Sequence, residues 1–118
     1  MCSAHPFFVE KNMIIRGTTP TISFNINTEL DLAEIAEVWV TFKTRPGSIP
    51  KEKTYTKDDV VIDAENSRIN LYLSQEDTLY FTNTPYNIQI RLRMNDDMAY
   101  ASSIIEEQIG RILKDGVI

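Results

Sequence analysis

The sequence predicts an all-β fold, an antiparallel β-sandwich or small barrel of about seven strands with one or two short helical turns. Three observations lead there. Apolar residues recur at every second position in several segments, and turn residues punctuate the chain between them. No stretch holds a helical period long enough to bury one face of a helix. With 118 residues, 42% of them hydrophobic, the chain is the size of one ordinary domain and has enough apolar surface for a core.

The first twelve residues follow no period and are expected as a flexible arm, with the folded domain over 13–118. Met13-Ile14-Ile15-Arg16 reads as a short apolar strand, ended by Gly17-Thr18-Thr19-Pro20. Thr21 to Asn27 alternates, with Ile22, Phe24 and Ile26 on one face. Around Asp31 to Glu37 the spacing of Leu30, Leu32, Ile35 and Ala36 allows one helical turn, capped by Thr28 or Asp31. It is too short to be a stable helix, and a turn-like connection is expected. Val38 to Thr44 alternates again, with Val38, Val40 and Phe42 to one side and Trp39, Thr41 and Lys43 to the other.

Pro46-Gly47 marks a turn. The lysines of the next segment, Lys51 to Thr56, suit a guarded sheet edge. Val60-Val61-Ile62 and Arg68 to Leu73 are the following strands. Ser74 to Asp77 has the composition of a capped helix start, which Leu79 and Phe81 would anchor to the core before Asn83-Thr84-Pro85 ends it. Tyr86 to Met94 is the clearest strand, with Ile88, Ile90, Leu92 and Met94 inward. Asn95-Asp96-Asp97 turns the chain into a return strand running from Met98 to about Gly110, and the tail after Lys114 is expected exposed or docked.

Charge narrows the partners. The formal net charge is −5. Residues 1–57 carry 7 basic and 6 acidic side chains, whereas 58–118 carry 5 and 11, so phosphate backbones would be repelled at long range. The basic cluster Lys43, Arg45, Lys51, Lys53 and Lys57 holds one aromatic, Tyr55, and makes no stacking platform. No apolar run is long enough to span a bilayer, and the N-terminus lacks a signal-peptide pattern. Neither nucleic acid nor membrane is expected as a partner.

Catalytic machinery is hard to assemble from this inventory. Cys2 is the single cysteine and His5 the single histidine, which excludes an internal disulfide and a multi-histidine metal site within one chain. The pairs Asp58-Asp59, Asp96-Asp97 and Glu106-Glu107 are sequence neighbours, and on a strand such neighbours face opposite ways. Gly17 and Gly47 are isolated, so no phosphate-cradling loop is present. No catalytic residue, metal ligand or cofactor site is assigned. Trp39 has two readings: as a large apolar payload it belongs between sheets, and exposed it would anchor a binding surface.

Several segments together resemble a known group of proteins. They are Met13-Ile14-Ile15-Arg16-Gly17-Thr18-Thr19-Pro20-Thr21, Val38-Trp39-Val40-Thr41-Phe42, Leu73-Ser74-Gln75-Glu76-Asp77-Thr78, Ile88-Gln89-Ile90-Arg91, Ala101-Ser102-Ser103-Ile104 and Gly110 through Ile118. They look like small proteins encoded in prophage and related mobile clusters of Gram-positive bacteria. More distantly, they resemble the immunoglobulin-like N-terminal domain of phage upper-baseplate proteins. The resemblance covers residues 13–118. It implies an immunoglobulin-like β-sandwich and a structural or adaptor role in a phage tail or baseplate, without catalysis, assembled in the host cytoplasm and carried into the virion.

The partners implied are other protein chains, a second copy of this one included. A small sandwich can recruit them by adding a strand at an edge. The expected contact residues are Met13, Ile14, Ile15, Arg16 and Trp39, with the strand from Met98 as a further edge. Two other readings stay open: a carbohydrate-binding module using Trp39 and surface tyrosines (Tyr72, Tyr80, Tyr86 and Tyr100), which needs a coplanar row of exposed aromatics, and a small hydrolase using Asp or Glu, which needs two carboxylates converging in a cleft.

Overall fold

The computed structural model describes residues 7–10, 14–47, 49–82, 85–110, 112–114 and 116–118. Its strands are β1 (Phe7–Glu10), β2 (Ile14–Ile15), β3 (Thr21–Ile26), β4 (Ile35–Thr44), β5 (Glu52–Thr56), β6 (Val60–Asp63), β7 (Arg68–Tyr72), β8 (Tyr86–Met94), β9 (Ala99–Ala101), β10 (Ile105–Glu107) and β11 (Ile109–Gly110). One α-helix, α1 (Gln75–Tyr80), and two 3₁₀ turns at Leu32–Glu34 and Lys57–Asp59 complete it.

Two antiparallel sheets face each other. One runs β1-β3-β7-β6; the other runs β10-β8-β4-β5, with β9 beside β10 along the same edge of β8. In chain order this is the ABED and GFC arrangement of an immunoglobulin-like sandwich, with β5 as an added C′ strand. The short parallel pair β2–β11 joins the first part of the chain to the last.

The alternation read from sequence sets the core. Ile22, Phe24, Ile26, Ile69 and Leu71 from one sheet meet Val38, Val40, Phe42, Ile88, Ile90 and Leu92 from the other, all buried. Phe81 sits among the aromatics: its ring stacks on Phe42 at 5.0 Å and meets Tyr86 edge-on at 5.0 Å.

The turn from β7 to β8 is fixed by local chemistry. Ser74 Oγ accepts from the Asp77 N–H and Asp77 Oδ2 accepts from the Ser74 N–H, a reciprocal cap on α1. Arg16 donates from its guanidinium to the carbonyls of Leu79 and Phe81, at the helix's C-terminal end. Tyr86, fully buried at the start of β8, accepts at its hydroxyl from the Thr82 N–H at 3.1 Å. A tyrosine placed so, bonded to backbone just upstream, is a corner device of this fold.

Two sequence expectations need correction. Within the span expected as a flexible arm, Phe7–Glu10 forms a strand paired along β3, from Phe7↔Ile26 to Glu10↔Ser23; residues 1–6, 11 and 12 lie outside the described residues, as do Cys2 and His5. Pairing against an existing sheet edge supplies the order that the segment's own periodicity does not. The single return strand is three pieces, β9, β10 and β11. The break falls at Ser102, whose buried hydroxyl accepts from the Ile90 N–H and donates to the Ser103 carbonyl, while its own N–H reaches the Ile90 carbonyl. A side-chain oxygen thus stands in the ladder where a backbone carbonyl would be, and the strand jogs. The connection after Asp31 is turn-like as expected, a single 3₁₀ turn over Leu32–Glu34 with Asp31 capping the Ala33 N–H.

Candidate functional site: the Trp39 face

Because Val38, Val40 and Phe42 are held inward at 0% exposure, Trp39 must point out, and it is 46% exposed. The burial expected of a sandwich tryptophan does not occur here. The core is filled by the residues on either side of it, so one pleat step puts the indole on the surface. Register then chooses its neighbours: Arg91 of β8 and Thr56 of β5 lie directly across from it. The Arg91 guanidinium sits 5.6 Å from the indole centroid, a cation–π contact. A shallow cleft of about 160 Å³ opens beside the pair, lined by Glu37, Trp39, Arg91, Leu92, Arg93 and Ala99.

The surrounding sheet face is charge-balanced although the chain is acidic. By register, Lys43, Arg91 and Arg93 share it with Glu37, Glu52 and Glu106. Ion pairs link Lys43 to Glu52 at 4.0 Å, Arg45 to Glu106 at 3.3 Å and Arg93 to Asp97 at 3.5 Å. Thr41 and Thr54 hydroxyls meet across β4 and β5 at 3.2 Å. The result is a polar sheet surface with one exposed aromatic–arginine pair, the residue types that dominate interface energetics.

The other expected contact residues are placed differently. Ile14 is buried at 1% and pairs with Ile109 through β2–β11, so it belongs to the core and its strand is not a free edge. Ile15 is half-buried in the same pair, and Arg16 is engaged at the end of α1. Met13 lies outside the described residues. The return strand does lie at a sheet edge, but the Ser102 jog divides it.

The basic cluster is occupied by local contacts. Lys51 and Lys57 donate to the carbonyls of Tyr80 and Ile35, and Lys53 lies over the Tyr55 and Tyr80 rings. The tyrosines do not form a row with Trp39. Tyr55 and Tyr86 are buried, Tyr100 is half-buried against the core, Tyr72 faces out from the opposite sheet, and Tyr80 is on α1.

A second cleft was not foreseen from sequence. Lys53, Thr54, Tyr55, Asp59, Tyr72 and Asp77 line a pocket of about 200 Å³ at the seam between the sheets. Its carboxylates come from a 3₁₀ turn and from α1, too far apart in sequence for any spacing rule to pair them.

Among the described residues, no group of three or more His, Cys, Asp or Glu is placed to hold a metal ion, and no helix is long and apolar enough to cross a membrane. No protein-family model matches the chain, and no curated protein matches it in sequence.

Proposed function

We propose that this domain is a non-enzymatic structural or adaptor protein of a phage tail or baseplate, acting through contacts with other protein chains. One observation supports it above the rest. Trp39 is set outward on a paired, rigid strand, with Arg91 against its ring, in the middle of a charge-balanced face of an otherwise acidic domain. Such a face lets an acidic chain approach a partner without long-range repulsion at the contact. The tail or baseplate setting rests on the resemblance of residues 13–118, and the partners are tail components, with self-association a further form of the same contact.

The test is particle composition. Tail particles purified from an induced lysogen should contain the protein at a stoichiometric level. Trp39→Ala should reduce its incorporation by tenfold or more, as expected for a central aromatic anchor worth about 2 kcal/mol or more. Particles that lack the protein, or that take up the variant normally, would refute the reading. Among the described residues the carbohydrate alternative finds one exposed aromatic, Trp39, on this face, and saturable glycan binding that is lost in Trp39→Ala would favour it.

A further inference from the structure

Arg91 is an oriented cation without a counter-charge. Register sets it directly across from Trp39 on one side and from Ala101 on the other. Its guanidinium lies 5.6 Å from the indole centroid, and it makes no hydrogen bond or ion pair with any described residue. The charged groups around it are engaged. Arg93 pairs with Asp97 and Lys43 with Glu52, while Glu37 Oε1 accepts from the N–H groups of Val38 and Lys57. On the β9 side this face carries two exposed alanines, Ala99 and Ala101. Their methyl groups are too short to screen the guanidinium, and the cleft opens there.

We propose that this cleft receives an acidic side chain, a glutamate or aspartate of the protein partner, whose carboxylate the Arg91 guanidinium grips at two points. The inference rests on the Trp39 face being a docking surface and adds the chemistry of what docks. Size favours one side chain over a free ligand. Small-molecule pockets run from roughly 300 Å³ upward, and this shallow cleft holds about 160 Å³. A guanidinium presents its N–H donors as a planar fork that matches a carboxylate. Contact with the indole restrains that fork before a partner arrives, so less side-chain freedom is lost on binding. A single negative charge is enough to answer Arg91. A dianion such as phosphate would meet the carboxylates of Glu37 and Asp97, and a partner's cation would meet Arg91 and Arg93.

Trp39 is the single tryptophan, so its emission reports on the cleft directly. The probe is the blocked tripeptide acetyl-leucyl-glutamyl-leucinamide, titrated beside its glutaminyl counterpart at matched ionic strength, with amide NMR shifts as a second readout. Saturable changes at Trp39 and Arg91 are expected, with the glutamyl peptide binding about tenfold tighter. Arg91→Gln should erase that preference. Arg91 is exposed and bonds to no described side chain or carbonyl, so the substitution keeps the fold. Inorganic phosphate, titrated in parallel, should bind more weakly than the glutamyl peptide. Absence of a saturable response, equal affinity for the two peptides, a preference that survives in Arg91→Gln, or tighter binding of phosphate would overturn the proposal. Particle incorporation separates this inference from the reading beneath it. Arg91→Gln should lower incorporation about tenfold, as Trp39→Ala does. A defect in Trp39→Ala with none in Arg91→Gln overturns the acidic contact alone, whereas normal incorporation of Trp39→Ala refutes the docking surface itself.

Discussion

Replacing Tyr55 by phenylalanine should make the protein more stable. The Tyr55 ring packs edge-on against Phe42 at 5.7 Å and carries Lys53 over its face, and phenylalanine keeps both contacts. What it removes is a buried hydroxyl with no hydrogen-bond partner among the described residues. Leaving such a group unsatisfied costs about 1–3 kcal/mol, so the gain should lie in that range, or about 4 °C in Tm for each kcal/mol. Urea unfolding at neutral pH measures it, with an unchanged m-value as the sign that only stability moved. A loss of about 1 kcal/mol or more would refute the reasoning, because it would mean that the hydroxyl is bonded, most directly to Asp77. Alkaline titration adds a second readout. Burial first, then the charge of the Asp77 carboxylate and its hydrogen-bonding approach to the hydroxyl, then the charge of Asp59, raise the phenol's pKa above its ordinary value of 10.0. The native state therefore holds a proton that the unfolded chain releases. This contribution is intact below pH 10 and is lost as pH climbs above it. The advantage of Tyr55→Phe should accordingly widen above pH 10, by up to about 1.4 kcal/mol per pH unit.

Three further outcomes are expected. Tyr86→Phe makes the same chemical change with the opposite sign, because it leaves the Thr82 N–H without its 3.1 Å acceptor; urea unfolding should record a loss of about 1–2 kcal/mol. Ser102→Ala strands the Ile90 N–H inside the sheet and should cost about 1–3 kcal/mol, with faster hydrogen exchange at Ile90. Trp39→Ala removes only outward-facing contacts, and thermal unfolding should shift by no more than about 0.5 kcal/mol while partner binding falls.

The strands that carry the core were legible wherever one face is buried and the other wet. Ile22–Ile26, Val38–Phe42 and Ile88–Met94 alternate because a one-residue slip would turn each apolar set to solvent. The cap at Ser74 was legible because its two hydrogen bonds are local. The return strand was not, since a serine hydroxyl replacing a ladder carbonyl leaves no mark on the hydrophobic pattern. Trp39 was readable as outward by parity, but the preference of large aromatics for the interior argued the other way. Here the pleat won, because Val38 and Val40 already fill the space beneath. Ile14 and Ile15 looked like an edge because parallel pairing with Ile109 and Gly110 joins opposite ends of the chain. The seam pocket was invisible for the same reason: Tyr55, Asp59 and Asp77 meet only once both sheets and α1 are in place.

Oxidative footprinting of Trp39 tests the docking account most directly. The indole should be labelled readily in the isolated protein, as its 46% exposure requires, and should be protected when the protein is part of a purified tail particle. Equal labelling in both states would contradict the assignment of this face to a partner.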